Sequence, residues 1–339
     1  WGLVGNDATN AGRFAYMEDL VLGGSDSYTT GIRQDTYYSG PSWNRYFNPD
    51  LTWEVGEKIN LGLDLQLFND FNLTFDIFRE KRRDIFMTRE NSIPEIVGTG
   101  ETKITSNNGE MENKGLDLAI DYNKQITKDF FLSFKSTLTF ARNKVLKMDE
   151  PPYFEYPGLS DVGHPLGTYW GYVADGLFPD QETIDNSPRQ DLGYTPQPGD
   201  IKYVNQPNAK GEYDNVINSN DRVAIGHPYD PELVYGFGPS IRWKNLDFSF
   251  FFQGVAKVSL VMSDFHPFGD NSLRNVLTWI ADDRWSPDNQ NINATYPRLT
   301  RDTSVNNTQR SDYWLRNAAF IKLKNAEIGY TYKNMRFYV

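Results

Sequence analysis

Residues 115–140 read GLDLAIDYNKQITKDFFLSFKSTLTF, and the spacing of apolar side chains in this stretch decides the fold. In its first half Leu116, Leu118, Ile120 and Tyr122 alternate with Asp117, Ala119, Asp121 and Asn123. In its second half Leu132, Phe134, Leu138 and Phe140 alternate with Ser133, Lys135, Thr137 and Thr139. Alternation with period two specifies β-strands that each have one apolar and one polar face. It leaves open where water is: the polar face looks outward from a soluble sheet, or inward to the lumen of a membrane barrel.

Parity fixes how such strands pair, because a face keeps its apolar residues together across a hairpin. Around 127–129 the apolar positions are even on both strands, so the loop holds an odd number of residues, Thr127, Lys128 and Asp129. That register sets Tyr122 beside Phe134, Leu118 beside Leu138, and Asp121 opposite Lys135. Leu61, Leu63, Leu65 and Leu67 lead into Phe71, Leu73, Phe75 and Ile77 around Phe68, Asn69 and Asp70 in the same way. In 235–252 the apolar set changes from odd (Phe237, Ile241, Trp243) to even (Leu246, Phe248, Phe250, Phe252). An even loop is therefore required; Lys244 and Asn245 supply it, Asn tolerating positive φ, and Arg242 faces Asp247. Lys333 and Asn334 repeat the device. The phase slips between Leu323 and Ala326, which calls for a bulge near Lys324 and Asn325.

Four connections are thus two or three residues long, and those between them are long, at about residues 6–50, 88–111, 147–233 and 259–314. Strict alternation of short and long connections is the habit of an outer-membrane barrel, with tight periplasmic turns and long external loops. The strands also run to about 11 residues or more, where a soluble strand has about 5 to 6. The expected class is all-β, an antiparallel up-and-down transmembrane barrel. Leu116, Leu118, Ile120, Leu132, Phe134 and Leu138 then face lipid, and Asp117, Asp121, Lys135 and Thr137 face the lumen, with Asp121, Lys135, Arg242 and Asp247 as structural lumen pairs. The competing reading is a secreted soluble sheet protein that binds carbohydrate or acts as an adhesin.

Composition narrows the function. The 339 residues include 22 Phe, 20 Tyr and 8 Trp, yet mean hydropathy is -0.60 and no apolar run approaches the roughly 18 residues of a membrane-spanning helix. A net charge of -11 leaves no basic stripe for nucleic acid. With no Cys there is no disulfide scaffold, thiolate zinc site or cysteine nucleophile. The three histidines, His164, His227 and His266, each precede a proline, and no hydrolase, metalloprotease or phosphate-loop motif accompanies them. The glycine patterns at Gly98 and Gly236 are incomplete, and Asp282 beside Asp283 suits a helix end better than an acid and base pair. Catalysis, cofactors and metal are not expected. Sequons at Asn72, Asn293 and Asn306 read as accidental. The opening WGLVGND lacks the charged and apolar regions of a signal peptide, which suggests an internal piece.

Seven stretches, in order along nearly the whole chain, resemble the C-terminal half of SusC/RagA-type TonB-dependent outer-membrane transporters. They are GLVGN (2–6), NPDLTWE (48–54), GEMENKGLDL (109–118), VGHPLGTYWGYVADGLF (162–178), PGDIKYV (198–204), DRVAIGHP (221–228) and AAFIKLKNAEIGYT (318–331). The resemblance implies a barrel of about 22 strands closed around an N-terminal plug that lies outside this chain. It also implies a TonB-type energy partner acting through that outside region, a SusD-like surface lipoprotein, a place in the outer membrane of a Gram-negative bacterium, and an oligosaccharide or peptide as cargo. About eight to ten strands are countable, too few to close such a barrel. The family often carries a carboxylate-rich run between DIKY and DR that could hold calcium. Here 204–220 reads VNQPNAKGEYDNVINSN, keeping Asp214 and, just beyond, Asp221, without the cluster such a site needs.

Binding would reside in the long loops. Tyr153 and Tyr156, with Tyr169, Trp170, Tyr172 and Asp175, offer aromatic faces beside a carboxylate, which suits the C–H patches and hydroxyls of sugars. The plainer reading is that these rings pack the loops together or form the interfacial girdle. Residues 272–285 carry Leu273, Val276, Leu277 and Ile280 at helical spacing, as a short helix packed on the barrel rim or under a lid.

Overall fold

The computed structural model describes residues 1–7, 14–23, 27–89, 91, 93–94, 96, 104–262, 276–300 and 304–339. Its main feature is a nine-stranded antiparallel sheet in strictly sequential order. The strands of this sheet are β1 (Gly2–Asn6), β2 (Glu54–Leu67), β3 (Phe71–Thr88), β4 (Thr105–Thr127), β5 (Phe130–Lys147), β6 (Leu233–Trp243), β7 (Leu246–Ala256), β8 (Phe320–Tyr332) and β9 (Met335–Tyr338). Sequential up-and-down order is the topology that tight turns produce, and the nine strands form an open sheet. His266 and Leu273, and Gly98 with its glycine pattern, lie outside the described residues.

The register follows from parity. Tyr122 pairs with Phe134, Leu118 with Leu138 and Asp121 with Lys135; Leu67 pairs with Phe71, Trp243 with Leu246 and Tyr332 with Met335. Two local details differ from expectation. The β4–β5 connection is a two-residue turn at Lys128 and Asp129, because Thr127 pairs with Phe130 and a bulge at Ile126 absorbs the odd residue. At both Lys-Asn turns the left-handed backbone falls on the lysine, Lys244 and Lys333 each at φ 53°, while the asparagine follows it. The slip in β8 is a bulge at Lys324: Phe251 pairs with Asn325 and Phe252 with Leu323. Neighbouring turns touch, since Asn123 N–H donates to Asp70 O and Lys244 N–H to Asp129 O, so the tight turns share one end of the sheet.

One face of the sheet carries Leu61, Ile77, Leu116, Phe140, Ile241, Phe248 and Ile328, and none of the described residues covers it. Leu61 stays 73% exposed, Ile77 50% and Ile328 55%. The hydrophobic core lies elsewhere. Segments 148–232 and 276–319 fold together around Tyr172, Leu177, Ile201, Tyr203, Ile217, Ile280, Trp285, Tyr296 and Trp314. Their strands are short, such as Tyr169–Gly171 with Val223–Ile225 and Ala174–Leu177 with Ile201–Tyr203. Within the described part of the expected helix, Thr278–Asp282 is helical, and its Ile280 is buried in this loop core rather than on the barrel rim. Shorter hairpins occupy the first long connection, Ser27–Thr30 with Thr36–Ser39 and Asp19–Val21 with Ser42–Arg45.

Candidate functional site

The polar face of the sheet and the loop unit together form the site. On the sheet, alternation sends every second side chain to one side, and these side chains bond across strands. Asn60 donates to Asp76 at 2.9 Å and Thr74 to Asp64 at 2.8 Å. Lys58 lies 3.4 Å from Glu80, and Lys135 3.7 Å from Asp121. Arg242 and Asp247 are register partners, but the charges do not pair directly. Asp247 accepts Arg336 Nε at 3.2 Å, and the same guanidinium reaches Glu327. Arg242 instead lies over the Phe131 ring, 5.2 Å from its centroid. A guanidinium arriving from β9 offers Asp247 a two-point fork, which outcompetes the neighbour opposite.

The loop unit rests on this polar face. Val145 N–H donates to His164 O at 2.9 Å and Gly163 N–H to Val145 O at 2.8 Å, which ties residues 163–164 to the upper end of β5. Between wall and loops lies a cavity of about 340 Å³ lined by Glu80, Arg82 and Asn113 from the sheet and by Leu166 and Asp230 from the loops. Glu232 beside it is buried, and its charge is balanced by Arg142 Nε at 2.8 Å.

A buried polar network joins the two loop segments. Asp200, 0% exposed, accepts Arg298 Nε at 2.7 Å and Asn307 Nδ2 at 2.8 Å. Asn307 Oδ1 accepts Ile201 N–H at 2.9 Å, and Asn306 Oδ1 accepts Gln190 Nε2 at 2.5 Å. Tyr203 OH donates to Asn306 O and Trp314 Nε1 to Asn307 O, both at 2.8 Å. The side chains of Asp200, Asn306, Asn307, Gln190, Tyr203 and Trp314 thus each find a partner, as buried polar groups in a desolvated network need. Burial pushes the Tyr203 hydroxyl pKa up. Sequence reading missed this network, because isolated Asp, Asn and Gln codes carry no period; Asn306, seen only as a sequon, is 0% exposed.

The aromatic candidates disperse. Tyr172 is only 4% exposed and its ring lies 5.1 Å from that of Tyr203, so it packs the loop core and presents no open face. Trp170 donates to Asp161 Oδ1 at 2.5 Å and meets His164 edge-on. Tyr169 stands beside Tyr229, with the Arg310 guanidinium 5.9 Å from its centroid. Tyr153 and Tyr156 are half-buried, and Asp175 is exposed and paired with Lys202 at 2.7 Å. None of these lines the cleft of about 830 Å³ on the loop unit, whose walls include Phe178, Ile184, Arg189, Asp191 and Tyr194. Arg298 holds Tyr194 OH at 2.6 Å, linking that cleft to the buried network. Among the described residues no group of three or more His, Asp or Glu could hold a metal ion.

A family model described as TonB dependent receptor-like, beta-barrel matches residues 11–339. TonB-dependent receptor P26 of Formosa agariphila is 28% identical over 346 residues, covering 97% of this chain and 32% of the relative. TonB-dependent receptor SusC of Bacteroides thetaiotaomicron is 27% identical over 350 residues, covering 99% of this chain and 31% of the relative. The chain thus spans about a third of the length of the curated relatives it matches. Among solved structures, the RagAB peptide transporter superposes with a TM-score of 0.66 at 19% identity, over 97% of this chain and 33% of that one. The RagAB peptide importer in the open-open state gives 0.67 at 18% identity, over 99% and 34%; at these identities the likeness speaks for the fold.

Proposed function

The chain belongs to the TonB-dependent receptor-like β-barrel family, and on that premise we propose that it is the wall and mouth of an active importer in the outer membrane. The cargo is an oligomeric nutrient, oligosaccharide or peptide, taken in with a SusD-like lipoprotein at the mouth and driven by TonB through a part of the protein outside this chain. The observation that carries the reading is the pair of faces: an apolar face that none of the described residues covers, and a polar face over which the loop unit is folded.

Dimensions support it. On β4 the apolar-side residues run from Leu116 to Tyr122 and are bracketed by Lys114 and Lys124. The ten steps from Lys114 to Lys124, at about 3.3 Å each and tilted by about 40°, rise about 25 Å, the height of a barrel's lipid-facing band. Lys124 is tied to Asp70 at the tight-turn end, 3.1 Å away. A water-soluble sheet would leave this band uncovered at a cost of about 25 cal/mol for each Å² of apolar surface.

In this reading Asp121, Lys135, Arg242 and Asp247 are structural residues of the lumen wall, and substrate meets the loop unit first. The test is uptake by intact cells, with labelled oligosaccharide and peptide supplied in parallel. Uptake of one class should disappear when either TonB or the neighbouring lipoprotein is deleted; uptake that survives loss of TonB sinks the active-import reading. Fractionation is an independent check, since full-length protein recovered in the aqueous phase without detergent would return the secreted alternative.

A further inference from the structure

Just above the apolar band, on its own face, the wall carries more cations than carboxylates, Arg79, Lys114 and Arg142 against Glu112 and Glu232. Register places Arg79 opposite Lys114 and Lys114 opposite Arg142. The row immediately below is Ile77, Leu116 and Phe140, each opposite the next. The three cations keep half or more of their side chains exposed, 56%, 64% and 52%. Lys257 extends the row, its ammonium 5.1 Å from the Phe140 ring centroid. Arg79, Lys114 and Arg142 have no carboxylate among them on their three strands, though Glu232, from the loop beside Lys257, lies 2.8 Å from Arg142. Glu112, one row farther from the band, serves two of the cations at once, 2.6 Å from Arg79 and 3.3 Å from Lys114.

The opposite rim of the band is different. There the same face ends on Phe71, Phe130, Trp243 and Tyr332 beside the tight turns, with Lys124 neutralised by Asp70. Cations at one rim and aromatics at the other distinguish the two leaflets.

Resting on the membrane reading above, we propose that Arg79, Lys114 and Arg142 are a docking row for the phosphate groups of the glycolipid in the outer leaflet. Strands about 4.8 Å apart spread the three charges over about 10 Å, which suits a headgroup bearing more than one phosphate. The acyl chains of the same lipid would lie along Ile77, Leu116 and Phe140 directly below. That continuity of charge with apolar surface selects a lipid over a dissolved anion. Guanidinium groups give two-point contact with phosphate, and cations near an anionic headgroup layer add attraction that salt screens only partly.

The experiment uses the full-length protein in detergent, with retained lipid counted by native mass spectrometry. The probes are bis-phosphorylated lipid A, its dephosphorylated form, and inorganic phosphate as competitor. Wild type should retain the phosphorylated lipid in preference to the dephosphorylated form. The R79Q/K114Q/R142Q variant should retain roughly tenfold less or lower still, each cation near such a headgroup being worth several-fold. The charge-keeping R79K/K114R/R142K variant should retain it, and K124Q should behave as wild type. Undiminished retention by the glutamine variant, or equal retention of the dephosphorylated lipid, overturns the row. Displacement by millimolar inorganic phosphate overturns the lipid assignment in favour of a free-anion site. Each preparation is also checked for heat-modifiable migration on a gel. Its absence from wild type overturns the barrel reading and the row with it, whereas its presence with lipid retention unchanged in the glutamine variant overturns the row alone.

Discussion

Gly115 on β4 has no room for a side chain: a methyl group on its Cα would lie 2.0 Å from Phe140 O and 2.9 Å from Ala141 Cα. Those atoms are backbone of the neighbouring strand and cannot rotate away. Gly115→Ala therefore has to part the ladder, at a cost of about 1–3 kcal/mol or more for overpacking. The expected outcome is a lower yield of heat-modifiable barrel. At Asp221 the issue is charge. Burial holds its carboxyl above the ordinary value of 3.8, against hydrogen bonds from Gln206 and Asn218 N–H that pull it down and with Asp214 adding to the rise. A carboxyl raised in the folded state favours folding when protonated. Its contribution is full below the ordinary value and is lost as pH rises through the raised one. Hydrogen-exchange protection at residues 205–221 should therefore weaken as pH climbs from about 4. Asp221→Asn should flatten that slope, and an unchanged slope would assign the dependence to another group.

At the scale of the element, the Lys324 bulge is a register device. Below it Ala326, Ile328 and Tyr330 share the apolar face, and above it Leu323 and Ile321 do. Removing Lys324 alone leaves both halves on their own faces, so that deletion should still give a heat-modifiable barrel. Removing Ile328 turns every residue on one side of the cut over, placing Glu327 or Gly329 where Ile328 stood, and should abolish it. The same counting explains what was legible in the sequence. Strand pairing is a parity constraint, so Tyr122 with Phe134, Trp243 with Leu246 and the bulge itself could be read from letters alone. The loop unit could not. Its strands have no more than four residues, and its core gathers Tyr172, Ile217, Tyr296 and Trp314 from distant places with no period to link them. Tyr172 and Tyr169 look alike in sequence, yet one is core and the other a pocket wall.

For the whole molecule, the consequence of the Asp200–Arg298 pair is that two separate excursions of the chain behave as one body. Asp200 comes from the segment after β5 and Arg298 from the segment after β7. Arg298→Met would strand a carboxylate that is 0% exposed, a loss of about 3–5 kcal/mol for a broken buried pair. Hydrogen exchange should then rise in both segments together, at 190–203 as well as at 294–307, while the β4–β5 ladder stays protected. Exchange confined to one segment would mean that the two loops fold independently.

The length of β4 adds a final point. Above Lys114 the strand continues to Thr105, and nine residues at about 3.3 Å and a tilt of about 40° add about 23 Å. β3 and β5 rise alongside it, to Thr88 and Lys147. On the membrane reading proposed above, this part of the wall stands clear of the bilayer. On the import reading proposed above, cargo would meet the wall at a height where the headgroup layer no longer dictates which molecules approach, and selection would fall to the loop unit at the rim and not to the lipid surface around it.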